Sequence, residues 1–219
     1  VLEACKEKNI DQVIVTSTSE VYGSGQTTSM SENHKLSAQS PYAASKISAD
    51  NISMSYFKSY QSPVKIIRPF NCFGPRQSLR AVIPTIISQA LFKKQIDIGN
   101  THTTRDYTYV EDLAEAYFHV LKNKIFFGNI VNIGTNKENK ISDIIKIVQK
   151  NLDKKVKIVK KNERVRPSKS EVTRLRCNNN FIIKNSSWKP KTSLEKGILK
   201  TTEWVKKNVS KEIISKYII

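Results

Sequence analysis

The stretch Gln39-Ser40-Pro41-Tyr42-Ala43-Ala44-Ser45-Lys46-Ile47-Ser48-Ala49-Asp50 lies between two short apolar runs, Gln12-Val13-Ile14-Val15-Thr16 and Val64-Lys65-Ile66-Ile67-Arg68. Both runs have the length and β-branched character of strands buried in a parallel sheet. Pro41 marks a favoured helix start, and helical sequence continues to about Tyr60. Strand, helix and strand in this order imply a right-handed parallel crossover, the building unit of an open α/β sheet. Tyr42 and Lys46, four residues apart, share one helix face, where an ammonium beside a phenol favours the ionised form. That is how a tyrosine becomes a base. Tyr-x-x-x-Lys alone is a weak signal, since both residues are common on helix surfaces, and its meaning depends on the flanking segments.

Upstream, Val1 to Asn9 reads as the end of a helix, and the first strand runs into Ser17-Thr18-Ser19-Glu20-Val21-Tyr22-Gly23. Functional groups of open α/β sheets gather beyond the carboxyl ends of strands, where these hydroxyls fall. A Ser/Thr turn satisfying its own backbone is the plainer reading. Downstream, the second strand ends in Pro69-Phe70-Asn71-Cys72-Phe73-Gly74-Pro75-Arg76-Gln77. Ala81 to Lys94 is a helix with Ile83, Ile86, Ile87, Ala90 and Leu91 on one face, and Ile96 to Gly99 is a short strand. Arg105-Asp106-Tyr107-Thr108-Tyr109-Val110 leads into a helix from about Glu111, and Asn129 to Ile133 is strand-like. Ser142 is expected to cap a helix whose Ile144, Ile145 and Val148 face inward, and Val156 to Val159 alternates as a strand. After the basic loop from Arg164 to Glu171, a capping box, Thr192-Ser193-Leu194-Glu195, opens the last helix, which contains Trp204.

With 219 residues, 38% of them hydrophobic, the chain can bury one sizeable core. No apolar run approaches the roughly 20 residues of a membrane helix. The formal charge of +18 comes largely from lysines dispersed through periodic elements without interleaved aromatics, which argues against a nucleic-acid partner and suits an anionic small substrate. Cys5, Cys72 and Cys177 have neither metal-ligand nor disulfide spacing, so no metal site is expected and a reducing, cytoplasmic home is the default.

Together, Ser17 to Gly23, Tyr42 to Lys46, Arg68-Pro69-Phe70-Asn71, Gly74-Pro75-Arg76-Gln77 and Arg105 to Asp112 resemble, in order and spacing, the extended short-chain dehydrogenase/reductase family of NAD-dependent nucleotide-sugar epimerases and dehydratases. Ser78 to Ser88 and Arg166-Pro167-Ser168-Lys169-Ser170-Glu171-Val172 look most like the branch acting as a 4,6-dehydratase on nucleotide-linked N-acetylglucosamine in legionaminate-type synthesis. The resemblance implies a Rossmann-type doubly wound parallel sheet with a smaller mixed substrate-binding region. Residues 1–80 would form part of the NAD-binding domain and 81–219 mainly the substrate region, with about 105–135 returning to the first. Family members begin with a strand and a Gly-rich phosphate turn; this sequence opens on Val1 and holds no such turn, so the expectation is a chain matching the C-terminal two-thirds of an enzyme.

Carried over by position, the resemblance makes Tyr42 the base on the sugar 4-hydroxyl as NAD removes the C4 hydride. Lys46 lowers its pKa and holds the nicotinamide ribose, Thr18 bonds the same sugar oxygen, and Glu20 is the base for the C5 proton. Return of the hydride to C6 after loss of water closes a redox-neutral cycle. Ser19 stands where better-known dehydratases keep an aspartic acid for the leaving hydroxyl, and a serine is too weak an acid to replace it. Thr16, Ser17, Pro69 and Asn71, with Tyr42 and Lys46, are the implied cofactor contacts; Tyr22, Asn71, Arg80, Arg105 and Arg166 are the implied contacts to the nucleotide-diphosphate sugar. Cys72 reads as core. The same scaffold would also serve a 4-epimerase or a uronate decarboxylase, and a chain lacking the phosphate turn could instead be an inactive binding fragment. A homodimer is expected by resemblance.

Overall fold

In the computed structural model, residues 1–165 and 167–211 are described. After a short helix α1 (Leu2–Glu7), the apolar run forms β1 (Val13–Thr16), and α2 (Pro41–Tyr60) leads to β2 (Val64–Pro69). The Ser40 hydroxyl accepts from Ala43 N at 3.1 Å, satisfying an orphan amide of the first turn that Pro41 begins. β1 and β2 pair in parallel, Val13 opposite Val64 through Thr16 opposite Ile67. The crossover read from sequence is therefore the crossover that forms.

The chain then runs through β3 (Asn71–Phe73), α3 (Val82–Phe92), β4 (Gln95–Ile98), β5 (Thr104–Arg105), β6 (Tyr107–Tyr109) and α4 (Val110–Lys122). β7 (Ile130–Ile133) returns to pair in parallel with β2, giving a sheet ordered β1-β2-β7 with β1 at its edge. Behind it come β8 (Asn139–Lys140), α5 (Ile141–Leu152), β9 (Lys157–Lys160), α6 (Asn180–Asn185) and α7 (Leu194–Asn208). β3 pairs with β6 and β4 with β9 in parallel, whereas β5 pairs with β8 antiparallel. The result is a Rossmann-like α/β fold with mixed small sheets beside the main one.

Three apolar clusters lie among the described residues, the smallest of them around Tyr22, Phe70 and Cys177. Ile67, Val131 and Ile133 of the sheet pack with Ala116 and Val120 of α4 and with Ile182 and Trp188, whose indole N–H donates to Asp112 O at 2.9 Å. The largest cluster draws Ile83, Ile86 and Ile87 from α3, Ile144, Ile145 and Val148 from α5 and Ile198 and Val205 from α7. Lys65, in the middle of β2, is 1% exposed, and its ammonium donates to the carbonyls of Val120 and Leu121 at 2.8 and 2.9 Å. It caps the C-terminal end of α4, where the helix dipole favours a cation.

Three details differ from expectation. Ser142 is not a cap: α5 starts at Ile141, one residue before it, with no capping side chain, and the Ser142 amide, left without an intrahelical partner in the first turn, donates to Thr101 O at 3.1 Å. The cap of α7 is Ser193, which accepts from Lys196 N at 3.2 Å, so the box expected from Thr192 is displaced by one residue and Glu195 misses its position. β9 starts one residue later than expected and is largely exposed on the edge of β4. Among the described residues, no helix is long and apolar enough to cross a membrane.

Candidate active site

Beyond the end of β1 the chain turns through Ser17 and Thr18 into a single 3-10 turn, Ser19–Tyr22. The Thr18 hydroxyl accepts from Glu20 N at 3.2 Å and so starts this turn as a cap starts a helix. Gly23 ends it at φ 64°, where a Cβ would come within 2.6 Å of Ser37 O. Opposite, Tyr42 lies in the first turn of α2 with 51% of its surface exposed. The Lys46 ammonium donates to Thr16 O at 2.8 Å, and Thr16 Oγ1 shares a 2.9 Å hydrogen bond with Tyr117 OH. The helix carrying Tyr42 and Lys46 is thus fastened to the carboxyl end of β1.

A cleft of about 400 Å³ opens beside this junction. Of the residues expected from sequence, Glu20, Asn71, Arg80 and Arg105 line it. Tyr42, Lys46, Thr16, Thr18, Ser19 and Pro69 do not; they stand at the strand ends and at the start of α2. Ser19 is 3% exposed. Two expected contacts are redirected into the core. Tyr22 is 1% exposed, and its hydroxyl donates to Asn132 Oδ1 at 2.8 Å and accepts from Arg68 Nη1 at 2.9 Å, with burial pushing the phenol up to about 12. The Ser17 hydroxyl, 3% exposed, donates to Asp50 Oδ2 at 2.9 Å. Their polar atoms serve internal bonds rather than the cleft. Arg166 lies outside the described residues.

The cleft also contains groups that sequence reading missed. Gln77 Nε2 donates to Cys72 O at 2.8 Å, which fixes its amide orientation, and Gln77 Oε1, Asn71 Oδ1 and Tyr107 OH are buried without a protein partner. Buried polar atoms in native proteins are nearly always satisfied, so three orphans on one wall mark a surface that a polar ligand completes. Gln77 and Tyr107 sit inside the quoted segments, but nothing in their spacing distinguishes them from neighbours. Arg164 and Glu171 join the lining from the loop already recognised as basic. Glu171 accepts from Asn100 Nδ2 at 3.2 Å and pairs with Arg105 Nη2 at 3.7 Å, both partners of the pair being largely buried. Glu20, the other carboxylate on the wall, has no ion pair among the described residues.

Cys72 also touches the cleft, and burial pushes its thiol up to about 11. Since the thiolate is the reactive form, alkylation of Cys72 by iodoacetamide at pH 8 is expected to be about a hundredfold slower than that of an ordinary exposed thiol. Peptide mapping by mass spectrometry over a time course checks this; labelling at the ordinary rate would contradict it.

Residues 1–201 match the family described as GDP-mannose 4,6 dehydratase. The chain belongs to this family. Relatives of this chain include the trifunctional UDP-glucose 4,6-dehydratase/UDP-4-keto-6-deoxy-D-glucose 3,5-epimerase/UDP-4-keto-L-rhamnose-reductase of Arabidopsis thaliana, 35% identical over 214 residues. That match covers 94% of this chain and 31% of the plant enzyme. Among solved structures, dTDP-glucose 4,6-dehydratase from Bacillus anthracis in complex with NAD superposes with a TM-score of 0.85 at 31% identity, covering 95% of this chain and 66% of the other. UDP-glucuronic acid 4-epimerase from Bacillus cereus, in complex with UDP-glucuronic acid and NAD, gives 0.87 at 29% identity, covering 94% and 65%. The chain therefore spans less than a third of the plant relative and about two-thirds of the two bacterial structures.

Proposed function

We propose that the protein is an NAD-dependent 4,6-dehydratase of a nucleotide-linked N-acetylglucosamine. The observation that carries this reading is Glu20, a carboxylate on the cleft wall, only four residues along the chain from the Thr16 carbonyl that holds Lys46. Oxidation at C4 needs a base for the hydroxyl proton, and elimination across C5 and C6 needs a second base; Tyr42 and Glu20 provide the two from opposite sides of one junction. Glu171, the other cleft carboxylate, is occupied by Arg105 and Asn100, which leaves Glu20 for the C5 proton.

The residues present fit the nicotinamide end of NAD: Thr16 and Tyr42 are exposed, Lys46 is anchored at the strand end, and Asn71 Oδ1 lacks a protein partner. When bound, NAD would supply the oxidation at C4 and the return of that hydride to C6. Tyr42 accepts the 4-hydroxyl proton, Lys46, held at the strand end by Thr16 O, contacts the nicotinamide ribose, and Thr18 orients the sugar oxygen. Asn71, Arg80 and Arg105 hold the diphosphate, a task for which the planar fork of arginine is suited. In this reading residues 1–80, with about 105–135, form the cofactor side and the rest of 81–219 the substrate side.

A second reading is 4-epimerisation. Ser19 replaces the acid that the better-known dehydratases use and lies outside the cleft lining, and epimerases on this scaffold need Tyr42, Lys46 and Thr18 without Glu20. For the sugar, what supports N-acetylglucosamine is the resemblance of the segments Ser78 to Ser88 and Arg166 to Val172 to the branch that acts on it. Incubating the full-length protein with NAD and UDP-, GDP- or dTDP-linked N-acetylglucosamine and glucose, with products read by NMR, tests this. We expect a 4-keto-6-deoxy product from one N-acetylglucosamine nucleotide. Turnover of the glucose nucleotides alone would overturn the sugar assignment.

A further inference from the structure

Tyr42, Lys46 and Asp50 follow one another at four-residue intervals on α2, so a single helix face carries all three. The first two lie at the open end of that face; Asp50 is 2% exposed. Its Oδ2 accepts three hydrogen bonds, from Arg68 Nε, Arg68 Nη2 and Ser17 Oγ, each at 2.9 Å. Arg68, also 2% exposed, comes from β2 and extends Nη1 to Tyr22 OH at 2.9 Å. Ser17 precedes the turn that contains Glu20, and Tyr22 closes it.

We propose that Asp50 is a positioning residue for the reaction: with Arg68, it clamps the Glu20 turn at both ends, through Ser17 and Tyr22, and ties it to the helix carrying Tyr42 and Lys46. This rests on the reading of Tyr42 and Glu20 as the two bases. Two bases on separate segments must keep a fixed separation to act on adjacent carbons of one sugar, and backbone hydrogen bonds do not connect α2 to the Ser19–Tyr22 turn. The clamp supplies that connection. Buried ion pairs add little net stability compared with apolar packing, so a geometric role accounts for a carboxylate and a guanidinium kept together in this core.

Removing Asp50 itself would strand the Arg68 guanidinium, so the test loosens each end of the clamp while leaving the pair intact. In the full-length protein, Ser17→Ala and Tyr22→Phe are each expected to lower kcat by about tenfold with KM within about twofold, because small displacements of a reacting group are costly to rate. Both variants should also release 4-keto sugar that retains its 6-oxygen, detected by mass spectrometry, since the displaced group acts after oxidation. Ser17→Thr, which keeps a hydroxyl, should restore kcat. Parental kcat with no such release in both variants overturns the proposal, as does a fall in kcat that accompanies a lowered melting temperature and is not rescued by Thr. Tyr42→Phe is measured in parallel. If it is inactive while both clamp variants run normally, only the clamp is wrong; if it turns over like the parent, the reading of the two bases fails and the proposal falls with it.

Discussion

Tyr42→Phe lowers kcat by about 10²–10⁴-fold, the usual contribution of a positioned proton-transfer group. This corresponds to roughly 3–5 kcal/mol of transition-state stabilisation. The substitution deletes one oxygen from a side chain that is half exposed at the start of α2, so it creates no cavity and removes no core hydrogen bond. Folding should be unaffected, with a melting temperature within about 1–2 °C of the parent, as expected of surface substitutions. Nucleotide-sugar affinity, read by calorimetry, should change little, because the diphosphate contacts proposed for Asn71, Arg80 and Arg105 lie on the cleft wall away from the phenol. A variant that retains more than about a tenth of parental kcat would contradict the role of Tyr42 as the C4 base.

Glu20→Gln has the second large effect, and it separates two steps that Tyr42→Phe abolishes together. The amide preserves the size and hydrogen-bonding reach of the side chain but cannot accept a proton from C5. Oxidation at C4 should proceed, and 4-keto sugar with its 6-oxygen should accumulate while formation of the 6-deoxy product falls by about 10²–10⁴-fold. Rapid quench followed by mass spectrometry of the reduced sugars measures both quantities. Undiminished 6-deoxy product would remove Glu20 from the mechanism and, with it, the observation on which the dehydratase reading rests.

The parts of the fold that local chemistry determines were legible from sequence. A β-branched run followed by Ser40-Pro41 leaves few alternatives to β1, α2 and β2, and the apolar stripes of α3 and α5 face the core as their periodicity requires. What escaped was decided by partners distant in sequence. Ser142 has the right residue type for a cap, yet its amide found Thr101 O; no local pattern reports that. Lys65 reads as one polar residue in an apolar strand, and only the arrival of α4 above it explains its burial. The same holds for the site. Glu20, Asn71, Arg80 and Arg105 reach the cleft, whereas Tyr22 and Ser17 were drawn into the Asp50–Arg68 network. That network joins residues 18 and 33 positions apart, and its carboxylate lies on a helix face of small and polar side chains, where hydrophobic periodicity gives no signal.

The central claim is that one site oxidises C4, eliminates water across C5 and C6, and restores the hydrogen at C6. It is tested most directly by supplying the full-length protein with NAD and a nucleotide-linked N-acetylglucosamine deuterated at C4, then locating the label by NMR. The expected product is a 4-keto-6-deoxy sugar with deuterium at C6. A product with deuterium still at C4 in the inverted configuration would show an epimerase and contradict it.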